Sequence, residues 1–452
     1  MLMSTADEIR IGRQSDREIV RAYGLYKDEK LQGYVAEVGQ KLAKVSHRPD
    51  LPFTFRILDS PVVNAFAIPG GFVYVTRGIL GYINSEAELA GVLGHEIGHI
   101  TARHSARRYT KAQLAALGLE VGKMVSERFR RYAGLAEVGV GLLFLKFSRD
   151  DERQADELGV EYSSKGGYDA THMSKFFVTL SRMHGGGGGA LPEWFSTHPD
   201  PGDRVRATRY LAEKWQRENP GLQLKVNRER YLSFIDGLIF GEDPRQGYVK
   251  DGVFYHPILR FQFPVPAGWK LTNMPTKVQM LSPKGDAAIL LTLAEGNDPY
   301  LAARRFANSA GILVKAEGRT SVGGFPAYWI RSTAETGGNV MEVLSYFIAA
   351  ENRIHAFHGF CAPEGFGVYK GVFVATMSRF RNLDDPALID VKPTRIKIVE
   401  VSSGGTLRSA LRGFGVPEDE LEEVALINGM ELDERLKPGE KIKVLVNPTS
   451  PH

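Results

Sequence analysis

His95-Glu96-Ile97-Gly98-His99 is the stretch whose residue types and spacing most directly imply chemistry. On an α-helix, residues four apart share a face and lie about 6 Å apart along the axis, so both imidazoles can hold one cation. Glu96 stands beside that face and can reach a water there without being a ligand. Imidazole pairs suit zinc, which lowers the pKa of bound water to about 7 and leaves a nearby carboxylate to take its proton. The expectation is one Zn2+ per chain and a hydrolytic reaction. A catalytic zinc needs a third protein ligand. The continuation H-x-x-G-x-x-H is excluded, because Ala102 and Ser105 occupy the Gly and final His positions. His104 is off that register and is expected at the surface among Arg103, Arg107 and Arg108. The third ligand should then be acidic and downstream, and Ser148 to Leu158 offers five carboxylates. Glu152 and Asp156 share a helical face, so one could bind metal while the other orients a ligand histidine. The competing reading is a solvated acidic helix start favoured by the macrodipole.

The histidine motif is followed by Glu152 to Asp156 and preceded by Asn64-Ala65-Phe66-Ala67-Ile68-Pro69-Gly70-Gly71. Together these resemble the HtpX and CaaX-prenyl-protease-like zinc metallopeptidases (metallopeptidase family forty-eight), nearest the soluble, periplasmic BepA-like branch. The likeness covers about residues 5 to 215. It implies a gluzincin with His95, His99 and Glu152 as zinc ligands, Glu96 as general base and Asp156 as the carboxylate behind the ligands. It also takes in Ser196-Thr197-His198-Pro199 and Arg204. There His198 is expected to cap the zinc or, with Arg204, to steady the oxyanion. Asn64, Ala65, Phe66 and Ala67 are expected to form an exposed strand that pairs with an extended peptide substrate. The chain differs from the membrane-embedded members in lacking their spans, and from the BepA-like protein in lacking tetratricopeptide repeats.

The elements that position these residues are legible from periodicity. Leu31, Tyr34, Val35, Val38, Leu42 and Val45 make one apolar helical stripe. Period two marks strands from Phe53, from Val62 to Ile68 and from Phe72 to Thr76. The helical period returns at Ser85 and runs to about Gln216, broken by the five-glycine run 185–189, read as a mobile loop. From about Tyr231, short strands between Pro/Gly turns and two helices predict an α+β domain with an antiparallel sheet. Residues 384–393 read as a linker, and the tail as strand, helix, helix, strand. The expected architecture is therefore multidomain. A mainly α, zincin-like protease domain with a small sheet occupies 1–225, and an α+β domain faintly like PsbP/Mog proteins occupies 226–390. A small βααβ domain occupies 391–452. Gly405-Thr406-Leu407, Phe414-Gly415-Val416, Ile427-Asn428-Gly429 and Leu436 to Ile442 make that tail resemble a LysM domain, which implies affinity for peptidoglycan. Gly405 replaces the usual Asp.

With 57 basic against 53 acidic residues, the chain lacks the excess of positive charge that nucleic-acid binding demands. Its single cysteine, Cys361, excludes an internal disulfide framework. No stretch reaches the ~20 apolar residues of a membrane span; the best, Ala133 to Phe147, holds Glu137. His355 and His358, at strand spacing, are expected on opposite faces with satisfied structural roles, and His172 and His184 lack partners at ligand spacing. Met1-Leu2-Met3, just before a capping box at Thr5-Ala6-Asp7-Glu8, reads as the boundary after a removed leader, which places the mature chain in the periplasm. A cytoplasmic location is the alternative. The expected function is a zinc endopeptidase acting on polypeptides in cell-envelope quality control. The rival is a chaperone-like or wall-binding protein with a closed, latent zinc site.

Overall fold

The computed structural model describes residues 3–108, 110, 146–185, 194, 198, 202–336 and 339–447. The apolar stretch 133–145, the glycines at 186–189 and Ser196, Thr197 and Pro199 lie outside the described residues. The chain divides into two compact units, Met1–Glu242 with Thr394–His452, and Asp243–Pro393.

In the first unit, α1 (Thr5–Tyr23) starts from Ser4. The Ser4 hydroxyl accepts from the Asp7 N–H and the Asp7 carboxylate accepts from the Ser4 N–H, so the capping box sits one residue earlier than expected. α2 (Glu29–Lys44), capped by Asp28, buries Leu31, Tyr34, Val35, Val38 and Leu42, the stripe that the helical period dictates. It packs on β1 (Thr54–Leu58) of a three-stranded sheet in the order β1-β3-β2. β2 (Ala65–Ile68) and β3 (Phe72–Thr76) form an antiparallel hairpin, and β1 runs parallel to β3. Gly70 and Gly71 turn the hairpin at φ +89° and +99°, a region glycine enters without a Cβ clash.

α3 (Arg77–Tyr82) leads to α4 (Glu86–Thr101), whose cap Ser85 accepts from the Glu88 N–H. Every residue of α4 from Glu86 to Ile100 is buried, beneath α2, α5 (Arg149–Lys165) and α6 (Thr171–Gly185). α7 (Gly202–Glu218) lies on α5 and α6, and α8 (Arg228–Ile235) on α2 and α4. The approach of α4 to α5 depends on absent side chains. A Cβ on Gly98 would fall 3.0 Å from the Ala155 carbonyl oxygen, and one on Gly159 would fall 3.0 Å from the His95 nitrogen.

The second unit is an antiparallel α+β body. One sheet joins β4 (Tyr248–Lys250), β5 (Val253–His256), β6 (Phe261–Pro264) and β14 (Arg381–Asn382). The other has seven strands in the order β10-β11-β12-β13-β9-β8-β7. These are β7 (Lys270–Met274), β8 (Lys277–Leu281), β9 (Ala287–Ala294), β10 (Ile312–Val322), β11 (Phe325–Thr336), β12 (Asn339–Ala350) and β13 (Arg353–Cys361). α9 (Pro299–Ala307) packs on β10, β11 and β12, and α10 (Phe366–Met377) on β12, β13 and β6. A short helix, α11 (Pro386–Ile389), occupies part of the expected linker. His355 sits against Phe261 and Phe380 while His358 sits against Phe306 and Phe347. The Ser345 hydroxyl satisfies His358 Nδ1 at 2.9 Å, but among the described residues His355 has no hydrogen-bond partner on either ring nitrogen, contrary to expectation. Its ring is held by aromatic packing.

The tail returns to the first unit. β15 (Arg395–Glu400) pairs antiparallel with β18 (Lys441–Val446). Between them lie α12 (Leu407–Gly413), α13 (Leu421–Asn428) and the short pair β16 (Gly405–Thr406) and β17 (Arg435–Leu436). Tyr82 and Phe240 pack against the tail's own core of Leu407, Leu411, Val424 and Ile427. Lys443, fully buried, sends its ammonium to the carbonyls of Gly81 at 2.8 Å, Ile83 at 2.6 Å and Ile427 at 2.7 Å. Arg228 adds bonds to the Asn84 and Lys441 carbonyls. The tail is thus fastened to the segment that leads into α4.

Candidate metal centre

α4 presents His95 and His99 one turn apart, and α5 presents Glu152 and Asp156 against them. All four are at most 3% exposed. His95 Nε2 and His99 Nε2 face each other at 3.0 Å. Glu152 reaches them with oxygens 3.6 Å and 3.5 Å away. His198 brings Nδ1 to 2.9 Å from Glu152 Oε1 and 3.3 Å from His95 Nε2. One donor atom from each of His95, His99, Glu152 and His198 lies within 4.8 Å of the others.

The surroundings orient these donors. His95 Nδ1 lies 2.9 Å from Asp156 Oδ1. Arg204, expected to face an oxyanion, instead grips Asp156 with two bonds of 2.6 Å and 2.7 Å and reaches Glu152 at 3.0 Å. Its charge is committed to holding two carboxylates. Burial pushes Glu152 and Asp156 upward, but His198 and Arg204 outweigh it at Glu152. Arg204 and the His95 and Arg204 hydrogen bonds do the same at Asp156. Both end below the usual range, Asp156 at about 2. Burial holds His95 below its ordinary value and His99 far below it, so both are neutral at pH 7. Burial, partly offset by His198, pushes Glu96 up to about 7.

A cation suits this set. With its Nδ1 proton shared with Asp156, His95 turns a bare Nε2 lone pair toward His99 Nε2 beside an ionised carboxylate. Lone pairs meeting at this distance are stabilised by a positive charge between them. Among the described residues, both Glu96 oxygens and His198 Nε2 are buried without hydrogen-bond partners, and His198 Nε2 stands 3.7 Å from Glu96 Oε1. Nitrogen and oxygen donors without sulfur fit zinc.

Two expectations need correction. His104 is not a surface residue: it is 1% exposed, with Nδ1 3.0 Å from His99 Nδ1. Asn64, Ala65, Phe66 and Ala67 are 7%, 0%, 6% and 8% exposed, so the expected open strand is covered. β2 lies at the edge of its sheet, but the Val63 carbonyl accepts the Trp194 N–H at 3.4 Å and the Ala67 carbonyl accepts the Ser105 hydroxyl at 3.2 Å. Trp194 also stacks on His198 with ring centres 4.3 Å apart, so the same residue touches the stretch entering β2 and the donor set. Phe147 stacks on His99 at 3.9 Å, an aromatic wall that no spacing rule marked. Gly98 and Gly159 were also missed, although small residues recurring on facing helices signal close approach.

A histidine pair on one buried helix, met by an acidic helix, defines a metallopeptidase core. Residues 29–212 match the model of Peptidase family M48, whose members use zinc. The chain is 31% identical to the putative beta-barrel assembly-enhancing protease of Vibrio cholerae, over 46% of this chain and 43% of that protein. It is 28% identical to the beta-barrel assembly-enhancing protease of Escherichia coli K12, over 47% and 45% respectively. Against the mitochondrial metalloendopeptidase OMA1 of Arabidopsis thaliana it is 34% identical, over 35% and 31%. The match thus spans less than half the length of each relative. Among solved structures, cyanobacterial PsbP from Synechocystis covers 30% of this chain and 91% of its own at 14% identity, with a TM-score of 0.25, a likeness too slight to bear on function. Among the described residues no helix is long and apolar enough to cross a membrane.

Proposed function

We propose that this protein is a zinc-dependent endopeptidase of the cell envelope that removes misassembled polypeptides and rests in a closed form. The observation that carries the reading is the convergence of donors from His95, His99, Glu152 and His198 within 4.8 Å, with the unpaired Glu96 carboxylate alongside. His95, His99 and Glu152 are the protein ligands, and Asp156 orients His95. Zinc held there supplies Lewis acidity, lowering the pKa of water to about 7 and polarising a carbonyl. Glu96 takes the proton of the attacking water and returns it to the leaving amine. Arg204 keeps Asp156 and Glu152 ionised and in place. His198 occupies the position that a water or carbonyl needs, and the Trp194 N–H bonds the Val63 carbonyl just before β2. For cleavage His198 must give up that position, and Asn64 to Ala67 at the edge of the sheet are proposed to pair with an extended peptide.

The envelope assignment draws on the beta-barrel assembly-enhancing relatives, and with it goes a periplasmic location. The strand-helix-helix-strand tail, like LysM domains in sequence, supports contact with peptidoglycan. The test is a peptide-cleavage assay with and without chelator. Glu96→Gln should keep the metal and lose cleavage, since an amide cannot accept the proton. Wild-type rates in that variant refute the general-base role, and chelator-insensitive cleavage refutes the zinc enzyme. No cleavage by zinc-loaded protein, even with His198→Ala, favours the rival reading of a closed, chaperone-like protein.

A further inference from the structure

His104 lies beyond the end of the metal helix. Arg103 takes a left-handed backbone with φ +59°, held by an ion pair to Glu8 and a bond to the Met3 carbonyl, and a new helical turn starts at His104. The break swings His104 back under the site. Its Nδ1 stands 3.0 Å from His99 Nδ1, and its Nε2 stands 3.0 Å from Gln154 Oε1. Asp151 Oδ1 is farther, at 3.5 Å. Gln154 belongs to α5, between Glu152 and Asp156.

The chemistry of the three groups sets the direction of the chain. An amide oxygen only accepts, so the proton lies on His104 Nε2. A neutral imidazole carries one N–H, so His104 Nδ1 is bare and accepts from His99 Nδ1–H. His99 Nε2 is then bare and faces the point where His95 and Glu152 converge. We propose that Gln154 and His104 form a neutral relay that fixes the tautomer and orientation of His99, with His104 as its positioning residue. His95 receives the same service from a carboxylate, Asp156. The two imidazoles are therefore oriented by different means, one charged and one uncharged. The relay rests on the reading of His99 as a zinc ligand.

The test measures zinc affinity of the full chain by competition with a chromophoric chelator and needs no cleavage. Partners of this kind are worth about 10–100-fold in metal affinity. His104→Leu keeps the volume and removes the acceptor, and should weaken zinc binding by about that factor. His104→Asn restores an acceptor for the His99 Nδ1 proton and should recover most of the loss. Gln154→Leu should give a smaller loss, and Gln154→Glu, which only accepts, should give none. Nitrogen-15 NMR of labelled histidine should find His99 as the Nδ1–H tautomer in the wild type and mixed in His104→Leu. Wild-type affinity in His104→Leu overturns the relay, as does His104→Asn binding no better than His104→Leu. If His104→Leu fails to fold, the Gln154 pair decides, and unchanged affinity in Gln154→Leu overturns it. Wild-type protein that takes up no zinc refutes the metal reading itself.

Discussion

Gly98 separates the stability of the first unit from the geometry of its metal centre. Gly98→Ala should gain about 0.8–1 kcal/mol from helix propensity. The added methyl would meet the Ala155 carbonyl oxygen at 3.0 Å and the Leu158 Cβ at 3.2 Å, where ordinary contact is 3.4–4 Å. Overpacking of this kind costs about 1–3 kcal/mol, so the net loss is about 0–2 kcal/mol and the melting temperature moves little. Activity should respond differently. Relieving the contact parts α4 from α5 by roughly half an ångström, and Ala155 lies between Glu152 and Asp156, so both carboxylates recede from the histidines. A misplacement of about 1 Å costs roughly 100-fold, so half of it costs about tenfold in kcat/KM. Gly98→Val adds two more methyls and should cost about 100-fold or more. The assays are peptide hydrolysis at saturating zinc beside thermal unfolding of the metal-free protein. Gly98→Val with wild-type kcat/KM and zinc affinity would refute the claim that helix contact sets the ligand geometry.

His198→Ala should raise cleavage, because Nδ1 of that ring is 2.9 Å from Glu152 and fills the donor set; a fall would assign His198 to the oxyanion, and an unchanged rate defeats both roles. Burial holds His256, His355 and His358 at about 4, below the ordinary 6.5, so stability is full above pH 6.5 and drains as the unfolded chain takes protons that the folded one refuses. At pH 5 each costs about 2 kcal/mol, so the exchange protection of β13, corrected for intrinsic rate, should fall well below its pH 7 value; equal protection contradicts this. Lys443→Met leaves three buried carbonyls without their donor, at about 1–3 kcal/mol each, partly offset by removing a buried ammonium, and the net loss of about 2–4 kcal/mol should lower the first unit's melting temperature by several degrees. An unchanged melting temperature would mean that the tail is not braced there.

The histidine pair was legible because a helix converts a spacing of four into a shared face, and Glu152 with Asp156 obeyed the same rule. His104 was misread for a related reason. Counting onward from His99 assumes that the helix continues, whereas left-handed Arg103 ends it, and that conformation depends on Glu8 far away in sequence. The β2 edge looked open because period two says which side chains share a face but not what covers them. The tail's order of elements was readable, yet its docking was not. Alternation with Ile442 and Val444 assigns Lys443 to a solvent face, while in the fold that face meets Gly81 and Ile83.

The fastening of the tail beneath the segment leading into α4 has a consequence for biosynthesis. A ribosome makes His95, Glu96 and His99 more than three hundred residues before Lys443, and the whole second unit is made in between. Until β18 emerges, the Gly81 and Ile83 carbonyls lack the buried ammonium and the entry to α4 lacks its floor. The first unit is therefore completed last. A truncated or stalled product lacks these bonds, so the helix that carries the metal ligands is less firmly held in it than in the finished chain, and the order of synthesis itself delays full bracing of the site.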